Sequence, residues 1–156
     1  ERRILCGETD ADVAAQCSQL SRCGISPIVC VGEPLDVYEG GETVDYVAAQ
    51  VRASLSGAVL DGVDLAVAYE PVWAIGSGLV PTPEHVQAVA AAIRSAVAEV
   101  RCDKRAASVR ILYGGSVKPG NCAAFVACPD VDGVLVGGDS LNADSFVDIV
   151  ERSMNA

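Results

Sequence analysis

Four short apolar runs, at residues 27–31, 65–69, 109–113 and 133–136, recur along the chain with segments of helical period between them. Each run is rich in Val, Ile or Leu and nearly unbroken by polar residues. That is the pattern of strands covered on both faces in a parallel sheet. Val13, Cys17 and Leu20 share one face of a first helix, which Gly24 closes. Val44, Val47, Val51 and Leu55 do the same for a second, closed by Gly57. Val86, Val89, Ile93, Val97 and Val100 form the stripe of a third. It opens with Thr82-Pro83-Glu84: a cap, a proline at the first helical position, and an acid that suits the helix dipole. A short helix is expected after Asn121. A last one should carry Phe146, Ile149 and Val150 behind a cap at Asn142. The order is helix, then strand–helix four times, which implies right-handed βαβ units and a parallel α/β sheet.

Length narrows this further. The 156 residues make one domain, 1–156, with no room for a linker. A closed eight-fold barrel needs roughly 250 residues. Four strand–helix units therefore read as the later half of a (β/α)8 barrel or as a small open sheet. The chain starts at Glu1 rather than Met, as expected of a processed or incomplete chain, and shows no secretory signal. Its apolar runs are far too short to span a bilayer. A hydrophobic share of 51% excludes disorder. A net charge of −10 makes nucleic acid and anionic membranes poor partners. An anionic ligand would have to be held by local dipoles or a local cation. The seven cysteines include no CxxC pair and accompany a single histidine. That argues against a metal site and a disulfide framework, and for buried thiols in a reducing compartment.

Three segments fall where a strand ends and its helix has not begun, the face on which α/β proteins bind ligands. In the segment at 68–78, a strand runs into Glu70, Pro71, Val72, Trp73, Ala74, Ile75, Gly76, Ser77 and Gly78. A carboxylate beside apolar neighbours at a strand end is a candidate general base, because desolvation raises its pKa toward the working range. A surface glutamate is the alternative. The stiff start at Pro71 and flexible end at Gly76 and Gly78 suit a lid, or an ordinary connecting loop. Tyr113-Gly114-Gly115-Ser116 and Val136-Gly137-Gly138-Asp139 each carry paired glycines, which let backbone N–H groups converge on an anion. His85 reads as a solvated helix residue, Cys30 as core and Lys118 as a loop-surface cation. Glu33 could orient a neighbour or face solvent.

Together with 27–33 and 131–138, these segments closely resemble the triosephosphate isomerase family, from just after its fourth strand onward. The resemblance implies a TIM barrel of which this chain holds about the last four units. It implies cofactor-free interconversion of dihydroxyacetone phosphate and D-glyceraldehyde 3-phosphate through an enediolate. It makes Glu70 the base and residues 71–78 the lid. The Gly76 N–H, Ser116, Gly137 and Gly138 become the phosphate site. Tyr113 and Ser116 are expected to hold the closed lid, Glu33 to contact Trp73, and Glu1 to match a glutamate that partners the family's catalytic lysine. That lysine and the family's electrophilic histidine precede Glu1 in the family pattern, so these residues alone are expected to be largely inactive. A cytoplasmic homodimer acting on a phosphorylated triose is implied for the complete enzyme. Leu79-Val80-Pro81, Cys6 and Asp139 depart from the family pattern; a carboxylate at Asp139 repels a dianion unless it points away. The rival reading is a half-barrel that binds a phosphorylated ligand or a partner without turnover.

Overall fold

The computed structural model describes residues 2–101 and 106–156. Two helices precede the first strand: α1 (Arg2–Cys6) and α2 (Asp10–Arg22). Thr9 caps α2 through a capping box with Asp12, so two N-terminal N–H groups are satisfied reciprocally. Then come β1 (Ile28–Val31), α3 (Leu35–Glu39), α4 (Thr43–Leu55), β2 (Ala66–Tyr69) and α5 (Pro83–Val100). The chain continues through β3 (Arg110–Tyr113), α6 (Cys122–Val126), β4 (Gly133–Val134) and α7 (Ala143–Met154). Single 3-10 turns sit at Val72–Ala74, Ala106–Ser108 and Gly138–Leu141. The four strands form one parallel sheet in chain order.

One face of that sheet carries the core. Val29, Val31, Val67, Tyr69, Ile111 and Tyr113 point from the strands into a cluster with Val47 and Val51 of α4, Val86, Val89, Ile93 and Val97 of α5, and Phe125 and Ile149. Full burial of each such aliphatic side chain contributes about 1.5–3 kcal/mol. Strand alternation sends the other residues of β1 to the opposite face, where Ile28 is 53% exposed and Cys30 is also exposed. For β1 the expected two-sided cover and the core placement of Cys30 are therefore corrected, whereas β2 is buried at all four positions, as expected. A run of four apolar residues is the same in sequence whether one face or two are packed.

The helix stripes need similar adjustment. Thr82 caps α5 by accepting from the His85 N–H, and Asn142 caps α7 by accepting from Ser145, both as the sequence suggests. On α4, however, Val44 is exposed, and the polar Gln50 and Ser54 lie on the core face instead. They are there to satisfy buried partners. Gln50 Oε1 accepts the Gly32 N–H at 2.8 Å, and Ser54 Oγ donates to Asp10 at 3.1 Å. Phe146 and Val150 of α7 are exposed, leaving Ile149 as the residue it buries. β4 ends at Val134, two residues short of the apolar run, although the Leu135 N–H still reaches Tyr113 O at 2.8 Å.

A charged knot fixes α5 to the last two strands. Arg94 pairs with Asp130 at 2.7 Å and Asp132 at 2.9 Å and also donates to the Val109 carbonyl. Asp132 in turn accepts the Ile111 N–H at 2.7 Å. The site face of the sheet thus rests on strands whose ends are tied to the helix layer.

Candidate active site

The register aligns Val31, Tyr69 and Tyr113 at the ends of β1, β2 and β3. The next residues, Gly32, Glu70 and Gly114, consequently lie side by side. The Glu70 N–H donates to Val31 O at 2.7 Å and the Gly114 N–H to Tyr69 O at 2.8 Å. Both flanking glycines are there for close approach. A Cβ on Gly32 would sit 1.8 Å from the Glu70 carbonyl oxygen. A Cβ on Gly114 would sit 2.7 Å from Glu70 Cγ and 3.0 Å from its Oε1. Glu70 is half-buried and lines an open cleft of about 580 Å³. Ile75, Gly76, Ser116, Lys118, Gly137 and Gly138 share that cleft, as does Asp139. The carboxylate and both glycine loops therefore open on one space.

The segment after Glu70 divides in two. Pro71, Trp73 and Ala74 are buried, with the Val72 N–H donating to Glu33 O at 3.1 Å. Ile75, Gly76, Ser77 and Gly78 are exposed, and Gly76 and Gly78 adopt left-handed φ of 68° and 80°. Ser116 Oγ donates to the Ala74 carbonyl at 3.3 Å, joining the segment to the loop after β3. Asn121 braces that loop, accepting from the Lys118 N–H and donating to Ser116 O. After β4, Ser140 closes a turn onto the Gly137 carbonyl through both its N–H and its hydroxyl. Asp139 accepts from the Ser145 hydroxyl at 3.3 Å while lining the cleft.

Two supporting residues point away from the cleft. Tyr113 is fully buried and packs on Phe125 with ring centroids 4.2 Å apart. Burial pushes its hydroxyl above the usual phenol range. Glu33 is also fully buried, and its Oε1 accepts the Trp73 indole N–H at 2.7 Å and the Tyr69 hydroxyl at 3.1 Å. Of the two readings open for Glu33, the structure places it as a partner to neighbours and not facing solvent. His85, expected to be solvated, is half-buried with Nε2 3.1 Å from the Tyr69 hydroxyl. Sequence reading also missed Tyr38 of α3, whose ring stacks on Trp73 at 3.9 Å. The available signal was alternation: Tyr69 must face opposite to Glu70, toward the helix that begins at Pro83. Glu1 lies outside the described residues.

The sequence profile of the triosephosphate isomerase family matches residues 1–153. The chain belongs to the triosephosphate isomerase family. It is 53% identical to the triosephosphate isomerase of Thermus thermophilus over 94% of its own length, and 52% identical to that of Leifsonia xyli over 96%. The Corynebacterium efficiens enzyme matches at 50% identity over the full chain. In each case the chain spans about 60% of the length of the curated relative. The four-stranded parallel sheet with its flanking helices is consistent with the C-terminal part of a TIM barrel. Among the described residues, no helix is long and apolar enough to cross a membrane.

Proposed function

We propose that these residues supply the base, the lid and the phosphate-binding loops of a triose-phosphate isomerase. The enzyme interconverts dihydroxyacetone phosphate and D-glyceraldehyde 3-phosphate without a cofactor. The observation that carries this reading is the shared cleft: the Glu70 carboxylate opens on the same space as Gly76, Ser116, Gly137 and Gly138. A base at the strand end and anion donors on the loops beyond it match a substrate that bears its reactive carbons and its phosphate at opposite ends.

Glu70 takes the proton from the carbon beside the carbonyl and returns it to the neighbouring carbon, passing through an enediolate. The backbone N–H groups of Gly76, Gly137 and Gly138, with the Ser116 hydroxyl, bind the phosphate. Lys118, which lines the cleft, offsets the field of a chain carrying a net −10. Residues 71–78 close over the substrate and exclude water. The electrophilic histidine and the lysine of the family come from the segment that the family pattern places ahead of Glu1. They polarise the carbonyl and balance charge on the enediolate. The complete enzyme acts as a cytoplasmic homodimer, with residues 1–156 forming part of a single barrel.

The test is a coupled isomerase assay on this chain, alone and mixed with the N-terminal half of a family member. Turnover in the mixture that falls by orders of magnitude with Glu70→Gln is the expected result. Phosphorylated ligand bound without turnover in the mixture would favour a binding module, and near-normal turnover in the variant would remove Glu70 from the role of base.

A further inference from the structure

Three donors converge on one oxygen of the buried Glu33. Its Oε1 accepts from Trp73 Nε1 at 2.7 Å, from the Tyr69 hydroxyl at 3.1 Å and from the Thr43 hydroxyl at 3.4 Å. Its Oε2 has no hydrogen-bond partner among the described residues. The carboxylate's hold on Trp73 therefore depends on how its other donors are arranged. The Tyr69 hydroxyl has one proton and two claimants, since His85 Nε2 lies 3.1 Å from it on the other side. Burial and the Glu33 charge push Tyr69 far above the usual phenol range, so it keeps that proton.

Two proton arrangements follow. With a hydrogen on His85 Nε2, the imidazole donates to Tyr69 Oη and the phenol proton goes to Glu33. With Nε2 bare, the phenol donates to the imidazole instead. Glu33 is then left with Trp73 and the long Thr43 contact.

We propose that His85 is a positioning residue for the lid: a hydrogen on its Nε2 commits Tyr69 to Glu33 and so fixes the carboxylate that anchors Trp73. The inference rests on the reading of residues 71–78 as a lid. An imidazolium carries hydrogens on both nitrogens, so a doubly protonated ring enforces the first arrangement. In the neutral ring the two tautomers compete and the anchor loosens. The groups facing His85 are Tyr38 of α3, whose ring meets it edge-on at 5.4 Å, and Tyr69 of β2 with Glu33 behind it. Glu84 adjoins it on α5, and Cys128 lies against Pro83 from the end of α6.

The probe is the indole N–H resonance of Trp73 in the full-length protein, assigned by its loss in Trp73→Phe. In the unmutated protein it should move as acidification puts a hydrogen on both ring nitrogens of His85. At high pH it approaches its position in Tyr69→Phe, where the phenol donor is gone. His85→Gln offers an amide that donates to Tyr69 at every pH. It should hold the resonance at the low-pH position and abolish the titration. A titration that persists unchanged in His85→Gln, or a resonance that never titrates in the unmutated protein, overturns the proposal. If His85→Gln fails to fold, the ring nitrogen shifts of His85 in the unmutated protein decide. Hydrogen gained at Nε2 in step with the indole shift supports the anchor, and independent titrations overturn it. The readout needs no turnover. A titrating indole in a protein inactive on triose phosphates keeps the anchor and sinks the proposed function, whereas a flat indole in an active enzyme sinks only the anchor.

Discussion

Gly114→Ala tests the geometry around Glu70 directly. The added Cβ would stand 2.7 Å from Glu70 Cγ and 3.0 Å from Oε1. Non-bonded carbons settle at about 3.5–4.0 Å, so one side must retreat by roughly 1 Å. The Gly114 backbone is held by its N–H bond to Tyr69 O at 2.8 Å, and its φ is not in the left-handed region. Alanine can therefore adopt the backbone, and the flexible Glu70 side chain is what yields. A displacement of about 1 Å at a reacting group costs on the order of 100-fold in rate. In a chain completed to family length, the coupled isomerase assay should show kcat down about 100-fold. KM should change little, because the proposed phosphate donors Gly76, Ser116, Gly137 and Gly138 are untouched, and the melting temperature should stay close to the parent's. A folded variant with kcat within a few-fold of the parent would refute the reasoning. Gly32→Ala is the contrasting control. Its Cβ would lie 1.8 Å from the Glu70 carbonyl oxygen and 2.6 Å from the carbonyl carbon. Both are backbone atoms in the sheet, so this variant should fail to fold.

Thr82→Ala removes the hydroxyl that accepts the His85 N–H and should cost about 1 kcal/mol in urea unfolding, with Thr82→Asn near neutral. Gln87 and then Arg94 hold the Asp130 carboxyl below its usual range. A depressed carboxylate contributes stability above its unfolded pKa, about 3.9, that is lost as pH falls through the folded value. Arg94→Met should therefore lower the unfolding midpoint at pH 7, with the gap to the parent narrowing in melts below about pH 4. Ser116→Ala deletes both a cleft hydroxyl and the bond to the Ala74 carbonyl; steady-state kinetics of the completed enzyme should show a raised KM. Asp139→Ala removes a carboxylate from the cleft and should leave KM unchanged or lowered, and a clear rise would mean that Asp139 helps binding.

The strands were legible because short Val, Ile and Leu runs that stop at a glycine or a charged residue have few other uses, and α5 was legible because cap, proline and stripe agree along one helix. What escaped the sequence was direction. Nothing in the run at 28–31 says that Val29 and Val31 are buried against helices while Cys30 is exposed, because burial of a strand face is decided by residues far away in sequence. Gln50 and Ser54 escaped for a related reason. A polar residue on the core face is explained only by its partner, here the Gly32 N–H and the Asp10 carboxylate. The cleft itself was easier, since each of its loops begins where an apolar run stops. The cluster behind it was not: Glu33 follows β1, Tyr69 ends β2 and His85 lies in α5, and their bonds span 16 and 36 positions.

The register also bears on why the charges of the site can coexist. Glu70 is one position beyond its strand, level with Gly32 and Gly114 at the rim of the sheet. On β4, Val134 is level with Tyr113, so Leu135 stands at the rim, and Gly137 and Gly138 lie further out along the loop. On the proposed reading, an anion held by those two glycines would be set further along the loop than the carboxylate. Repulsion between like charges grows as distance shrinks and as water is excluded. If the glycines sat one position beyond their strand, as Glu70 does, closing a lid would drive base and phosphate against each other. On the proposed reading, the offset between β2 and β4 would let the cleft close over both, and it follows from where each strand stops pairing rather than from any one side chain.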